Sequence, residues 1–133
     1  MFNKILLIIT LSLLWMPVSA VAITAVELKE KCLGEEISST DSTTCLYYII
    51  ATREALEWGA SVATYRYKTE GQSNSEIVQQ AYNNLRVCIP RDVTNRTMIT
   101  RVFNFLRVSN DLENTSATRA IYNALTLSYP CDQ

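Results

Sequence analysis

Four cysteines (Cys32, Cys45, Cys88 and Cys131) follow an apolar N-terminal segment in a chain that has no histidine. The leader decides what the cysteines are for. Lys4 supplies a positive start, and Ile5 through Met16 form an uncharged apolar run of about a dozen residues, the length of a signal-peptide core and short of the roughly 20 that span a bilayer. Pro17 breaks the run, and Val18-Ser19-Ala20 offers the small residues a signal peptidase requires. Residues 1–20 therefore read as a signal peptide, with cleavage after Ala20 or, two residues on, after Ala22. No cysteine stands at that junction to direct lipoprotein processing, and an uncleaved anchor is the competing reading. Residues 21–133 then form one exported domain, sent to the periplasm with no membrane attachment after cleavage. In an oxidising compartment cysteines of this kind staple a small fold.

About 110 residues support a single hydrophobic core. Twelve Lys and Arg face thirteen Asp and Glu, a balance that offers no field for nucleic acid. The arginines from Arg86 to Arg107 recur at intervals of about five, which winds them around a helix and builds no stripe. Glycine and proline are scarce (three of each) and regular alternation is absent, so the fold class is all-α, a small disulfide-stapled bundle of about four to five helices.

The first short helix is expected over Ala25 to Leu33, with Val26, Leu28 and Leu33 as apolar contacts. A polar loop from Gly34 to Thr44 follows, and Asp41, Ser42 or Thr43 caps the next helix. That helix places Cys45, Ile49, Thr52, Leu56, Ala60, Ala63 and Tyr67 on one side, with Gly59 weakening it midway. Ser73-Asn74-Ser75-Glu76 has the form of a capping box and starts a helix to about Arg86, apolar at Ile77, Val78, Ala81 and Leu85. Thr94 caps a helix through Val108, with Met98, Ile99, Val102, Phe105 and Leu106 inward. Asn114 or Thr115 caps the last, with Ala117, Ala120, Ile121, Ala124 and Leu125 inward, and Pro130 stops it.

Four cysteines permit three pairings. The last two helices are each about 14 residues, about 21 Å at 1.5 Å per residue, and their short connection makes them antiparallel. Cys88 before the first and Cys131 after the second then approach bridging distance, leaving Cys32 to pair with Cys45 across the polar loop.

The same residues exclude most chemistry. A nucleophilic cysteine has no histidine to activate it. Successive cysteines stand 13, 43 and 43 positions apart, without the close pairs of structural zinc sites, so no metal and no cofactor is expected. Glu35-Glu36 and Glu54 with Glu57 read as exposed charges, and no catalytic residue is assigned. The sequons at Asn95 and Asn114 fall at helix starts, where capping explains them.

Cys45-Leu46-Tyr47-Tyr48-Ile49, Cys88-Ile89-Pro90, the Val102-Phe103-Asn104-Phe105-Leu106 helix and the closing Ala124-Leu125-Thr126-Leu127-Ser128-Tyr129-Pro130-Cys131 together resemble the Rap1a/Tai family of small periplasmic immunity proteins of type VI secretion systems. The chain departs from the family's usual pattern at Tyr47 and Ala51, where glycine is common, and in a longer polar segment from about Tyr65 to Asn84. The resemblance implies a non-enzymatic protein that binds and inhibits a secreted effector toxin, most directly a peptidoglycan amidase, by occluding its active site. Such a role needs only a rigid surface.

Tyr65, Arg66, Tyr67 and Lys68 combine the aromatic and cationic side chains enriched in binding hot spots, and they form the candidate partner-binding set. In the competing reading Tyr65 or Tyr67 packs into the core and the two cations are merely solvated. Tyr47 and Tyr48 either extend the core or support a homodimer. Two other classes of function compete with toxin inhibition: an exported helical module with a structural or chaperone-like task, and a secreted enzyme working through Glu54 or Glu57.

Overall fold

The computed structural model describes residues 22–36 and 38–131. The leader expected over residues 1–20 lies outside them. Among the described residues there are five helices, α1 (Ala25–Leu33), α2 (Ser39–Tyr65), α3 (Asn74–Leu85), α4 (Asn95–Val108) and α5 (Ala117–Ser128). None is long and apolar enough to cross a membrane.

Each helix starts on a hydroxyl. Thr24, Ser38, Ser73, Thr94 and Ser116 accept the backbone N–H three residues on, at 3.0 to 3.3 Å, which satisfies a donor that the first turn leaves without a partner. Thr24 and Ser73 are answered by Glu27 and Glu76, whose carboxylates each accept from the cap residue's own N–H at 2.7 Å. The Ser73–Glu76 box and the Thr94 cap are as the sequence predicts. Two starts differ. At α2 the cap is Ser38, not Asp41, Ser42 or Thr43, because Asp41 occupies the third helical position, accepts from the Ser38 hydroxyl at 2.6 Å and pairs with Lys31 at 3.3 Å. At α5 the cap is Ser116, not Asn114 or Thr115: Ser116 is held extended opposite Thr24, with the Thr115 carbonyl accepting from Ala25 N–H at 2.8 Å and Ala117 N–H donating to the Ile23 carbonyl at 3.0 Å. That exchange sets the starts of α1 and α5 side by side.

The core lies among α1, the first part of α2, α4 and α5. Leu28, Ile49, Met98, Val102, Leu106, Ile121 and Leu125 are among its largest fully enclosed side chains. The expected inward positions of α5 are all buried, as are those of α4 save the half-buried Phe105. Lys29 reaches across from α1 to donate to the Arg107 and Ser109 carbonyls at the end of α4, a favourable place for a cation. The Cys32–Cys45 bridge ties α1 to α2 with Cα atoms 5.4 Å apart, and Cys88–Cys131 ties the segment after α3 to the end of α5 at 4.9 Å.

The stripe expected along α2 departs from the structure beyond Thr52. The helix runs unbroken through Gly59, around which nothing lies within 4 Å. Ala63 and Tyr67 are exposed, and Thr64 is buried in their place. On α3, Ile77 and Ala81 are buried while Val78, expected inward, is exposed. The reason is topological: α3 packs along α2 and along no other helix, so one narrow face of each is covered. Ile77 and Ala81 stand outside the core cluster, as do the two buried threonines of α2, Thr52 and Thr64.

Candidate functional site

The second half of α2 and all of α3 form a two-helix arm, and several exposed apolar side chains lie together on it. Trp58, Val62 and Tyr65 recur at spacings of four and three, which aligns them on one face of α2. Val78 and Ile77 of α3 approach that face from across the helix pair. Together with Ser61, Arg66 and Asn74 they line an open groove of about 480 Å³. Trp58 is 73% exposed, Tyr65 60%, Val78 45% and Val62 40%, so a tryptophan, a tyrosine and two valines meet solvent in one place. Contiguous apolar surface of this kind marks interaction sites in soluble proteins.

The turn between the helices shapes the tip of the arm. Tyr67 and Lys68 N–H donate to the Thr64 and Tyr65 carbonyls at 3.0 and 3.1 Å. Gly71 then adopts φ +87°, which an L side chain would resist, before the Ser73 box opens α3. Of the four candidate residues, Tyr65 and Arg66 line the groove, and Lys68 stands with its Nζ 5.7 Å from the centroid of the Tyr65 ring. That is within cation–π reach. Tyr67 turns away and is 83% exposed. Neither tyrosine packs into the core.

Sequence reasoning missed Trp58, Val62 and Val78. Their signal was present as an apolar stripe at helical spacing, one that reads equally well as core. A second concavity of about 540 Å³ lies on the other flank of α3, between Tyr82 and the Cys88 to Arg91 segment, and shares Asn74 and Val78 with the first. Val78 thus stands on a ridge between two hollows.

Electrostatics at the base of the arm are internal. Arg53 pairs with Glu57 at 2.8 Å and also donates to Asn95 Oδ1 at 3.2 Å, so Glu57 is engaged as a structural partner. Glu35, Glu36 and Glu54 are exposed. Among the described residues no three His, Cys, Asp or Glu side chains converge as metal ligands. Tyr48 packs against the core with its hydroxyl 3.2 Å from that of Thr118, while Tyr47 is 69% exposed.

What these surfaces offer is apolar contact framed by cations, the equipment of a binding protein. No curated relative and no solved structure matches the chain. A family model does, that of the Rap1a immunity proteins, and it spans residues 24–131. With a match that runs from the capping threonine of α1 to the last cysteine, this chain belongs to the Rap1a immunity protein family.

Proposed function

We propose that this protein is exported to the periplasm, where it binds a type VI secretion effector and blocks it, the effector being a peptidoglycan amidase whose active-site cleft receives the α2–α3 arm. Membership of an immunity family implies a cognate toxin as partner. The observation that carries the rest is the open aromatic groove at Trp58, Val62, Tyr65 and Val78. Burying those side chains against an enzyme's cleft removes apolar area from water while Arg66 and Lys68 remain free to meet carboxylates at the rim. An inhibitor that works by occlusion needs no catalytic group of its own. The leader over residues 1–20 supplies export, and the two bridges suit an oxidising compartment. Exposed Tyr47 supports self-association as a secondary expectation, tested by light scattering coupled to size-exclusion chromatography.

The direct experiment is protection. Cells forced to export the effector encoded beside this gene should survive when they co-express the full chain, and the two purified proteins should form a complex of nanomolar affinity that suppresses cell-wall hydrolysis. Lysis despite full expression of the exported chain would refute the proposal. Binding to unfolded clients in place of a toxin would instead support a chaperone-like module.

A further inference from the structure

The arm is thinly supported along its length and firmly held at one end. α3 packs along α2 only, meeting the rest of the domain just at its C-terminal end, where the half-buried Leu85 reaches the core, and its fully buried side chains are Ile77 and Ala81. A twelve-residue helix with so small a covered face belongs to the low-stability end of a structure. Its C-terminus is different. The Tyr122 hydroxyl, on α5, donates to the carbonyl of Leu85, the last residue of α3, at 3.0 Å. Three residues on, Cys88 N–H donates to the Tyr129 carbonyl at 2.8 Å, and Cys88 is bonded to Cys131. Between these ties Arg86 turns the chain through the left-handed region at φ +55°, and Val87 enters the core. All three ties run to α5 or the segment just after it: one to the middle of the helix, at Tyr122, and two beyond its C-terminus, at Tyr129 and Cys131.

We propose that Tyr122 and the Cys88–Cys131 bridge are positioning groups for the arm: neither lines the aromatic groove, yet together they clamp α3 to α5 and hold the groove's two walls in register. The idea rests on the reading of that groove as the toxin-binding surface, and it adds what keeps the surface ordered before a partner arrives. A surface already ordered loses less conformational freedom on binding. The Cys32–Cys45 bridge, which joins α1 to the core end of α2, has no part in the clamp.

Hydrogen exchange followed by mass spectrometry on the free, exported chain tests this without any partner. Amides of residues 75–85 should exchange at least roughly tenfold faster in the Cys88→Ser/Cys131→Ser double variant, while those of α4 and α5 change much less. The Cys32→Ser/Cys45→Ser variant should not single out α3. Tyr122→Phe keeps the ring and removes one hydrogen bond, and it should accelerate α3 roughly five- to tenfold with the core helices unchanged. If loss of the bridge unfolds the whole domain, Tyr122→Phe decides alone. The clamp is overturned if Tyr122→Phe leaves α3 within twofold of the wild type, or if it accelerates all helices alike. Because these rates come from the unbound chain, they stand apart from failure of the groove to bind a toxin, which Trp58→Ala reports separately.

Discussion

Replacing Trp58 with alanine separates binding from folding more sharply than any other single change. The side chain is 73% exposed and stands outside the core cluster. Of the roughly 250 Å² that a tryptophan can bury, about 180 Å² is therefore open to a partner. At about 25 cal/mol per Å² full burial corresponds to about 4.5 kcal/mol. Partial coverage and side-chain ordering reduce this to about 2–4 kcal/mol, the range of an interface hot spot. Affinity for the effector should fall about 30- to 700-fold. Stability should change by less than about 0.5 kcal/mol, since the ring covers so little of the domain's own interior. Calorimetric titration and urea unfolding of the same preparations give both numbers. Affinity within threefold of the wild type would remove the groove from the interface. A loss of more than about 1 kcal/mol in stability would mean that the ring is a structural contact after all.

Other substitutions probe the frame. Leu106→Ala empties a fully buried site in the core and should cost about 3–5 kcal/mol, lowering the thermal midpoint by about 15 to 25 °C in a domain of this size. Arg86→Gly relieves a left-handed backbone at φ +55° and should stabilise the protein by about 0.5–1 kcal/mol, read as a higher urea midpoint with an unchanged slope. Acid should weaken the helix starts. The Thr24 N–H and then its hydroxyl hold the Glu27 carboxyl below its ordinary value; the Ser73 N–H and hydroxyl do the same for Glu76, and the Ser38 hydroxyl and then Lys31 for Asp41. A folded-state pKa below the unfolded one gives stability that is present above about pH 4 and lost as the pH falls through the lower folded value. Thermal melts from pH 7 to pH 2 should therefore fall more steeply below about pH 4 for the wild type than for a Glu27→Gln/Glu76→Gln variant, which has no carboxyl to titrate at either helix start. Equal slopes would contradict the assignment.

Local rules were enough for much of this fold. Ser73 and Glu76 announce α3 because the two side chains satisfy each other's backbone donors within four residues. Thr94 likewise announces α4. The four-residue spacing of Met98, Val102 and Leu106 and of Ala117, Ile121 and Leu125 marks inner faces that the structure buries. Ser116 escaped because its role depends on Ile23 and Thr24, more than ninety residues away. Ser38 escaped for a smaller reason: the Ser-x-x-Asp pattern leading to Asp41 was visible, but the polar run around it offered several competing caps.

The binding surface was legible only in fragments. Tyr65 and Arg66 stood out by composition, whereas Val78 was assigned to the inward face of its helix and Trp58 and Val62 fell outside the stripe read along α2. Periodicity reports which side chains share a face, and it carries no information on whether another element arrives to cover that face. By itself the sequence determined the helices, the caps of α3 and α4, the inward faces of α4 and α5, and the resemblance that led to the immunity family. Only the tertiary structure decided that α3 packs along α2 and along no other helix and leaves an aromatic groove in water, because coverage depends on contacts between segments far apart in the chain.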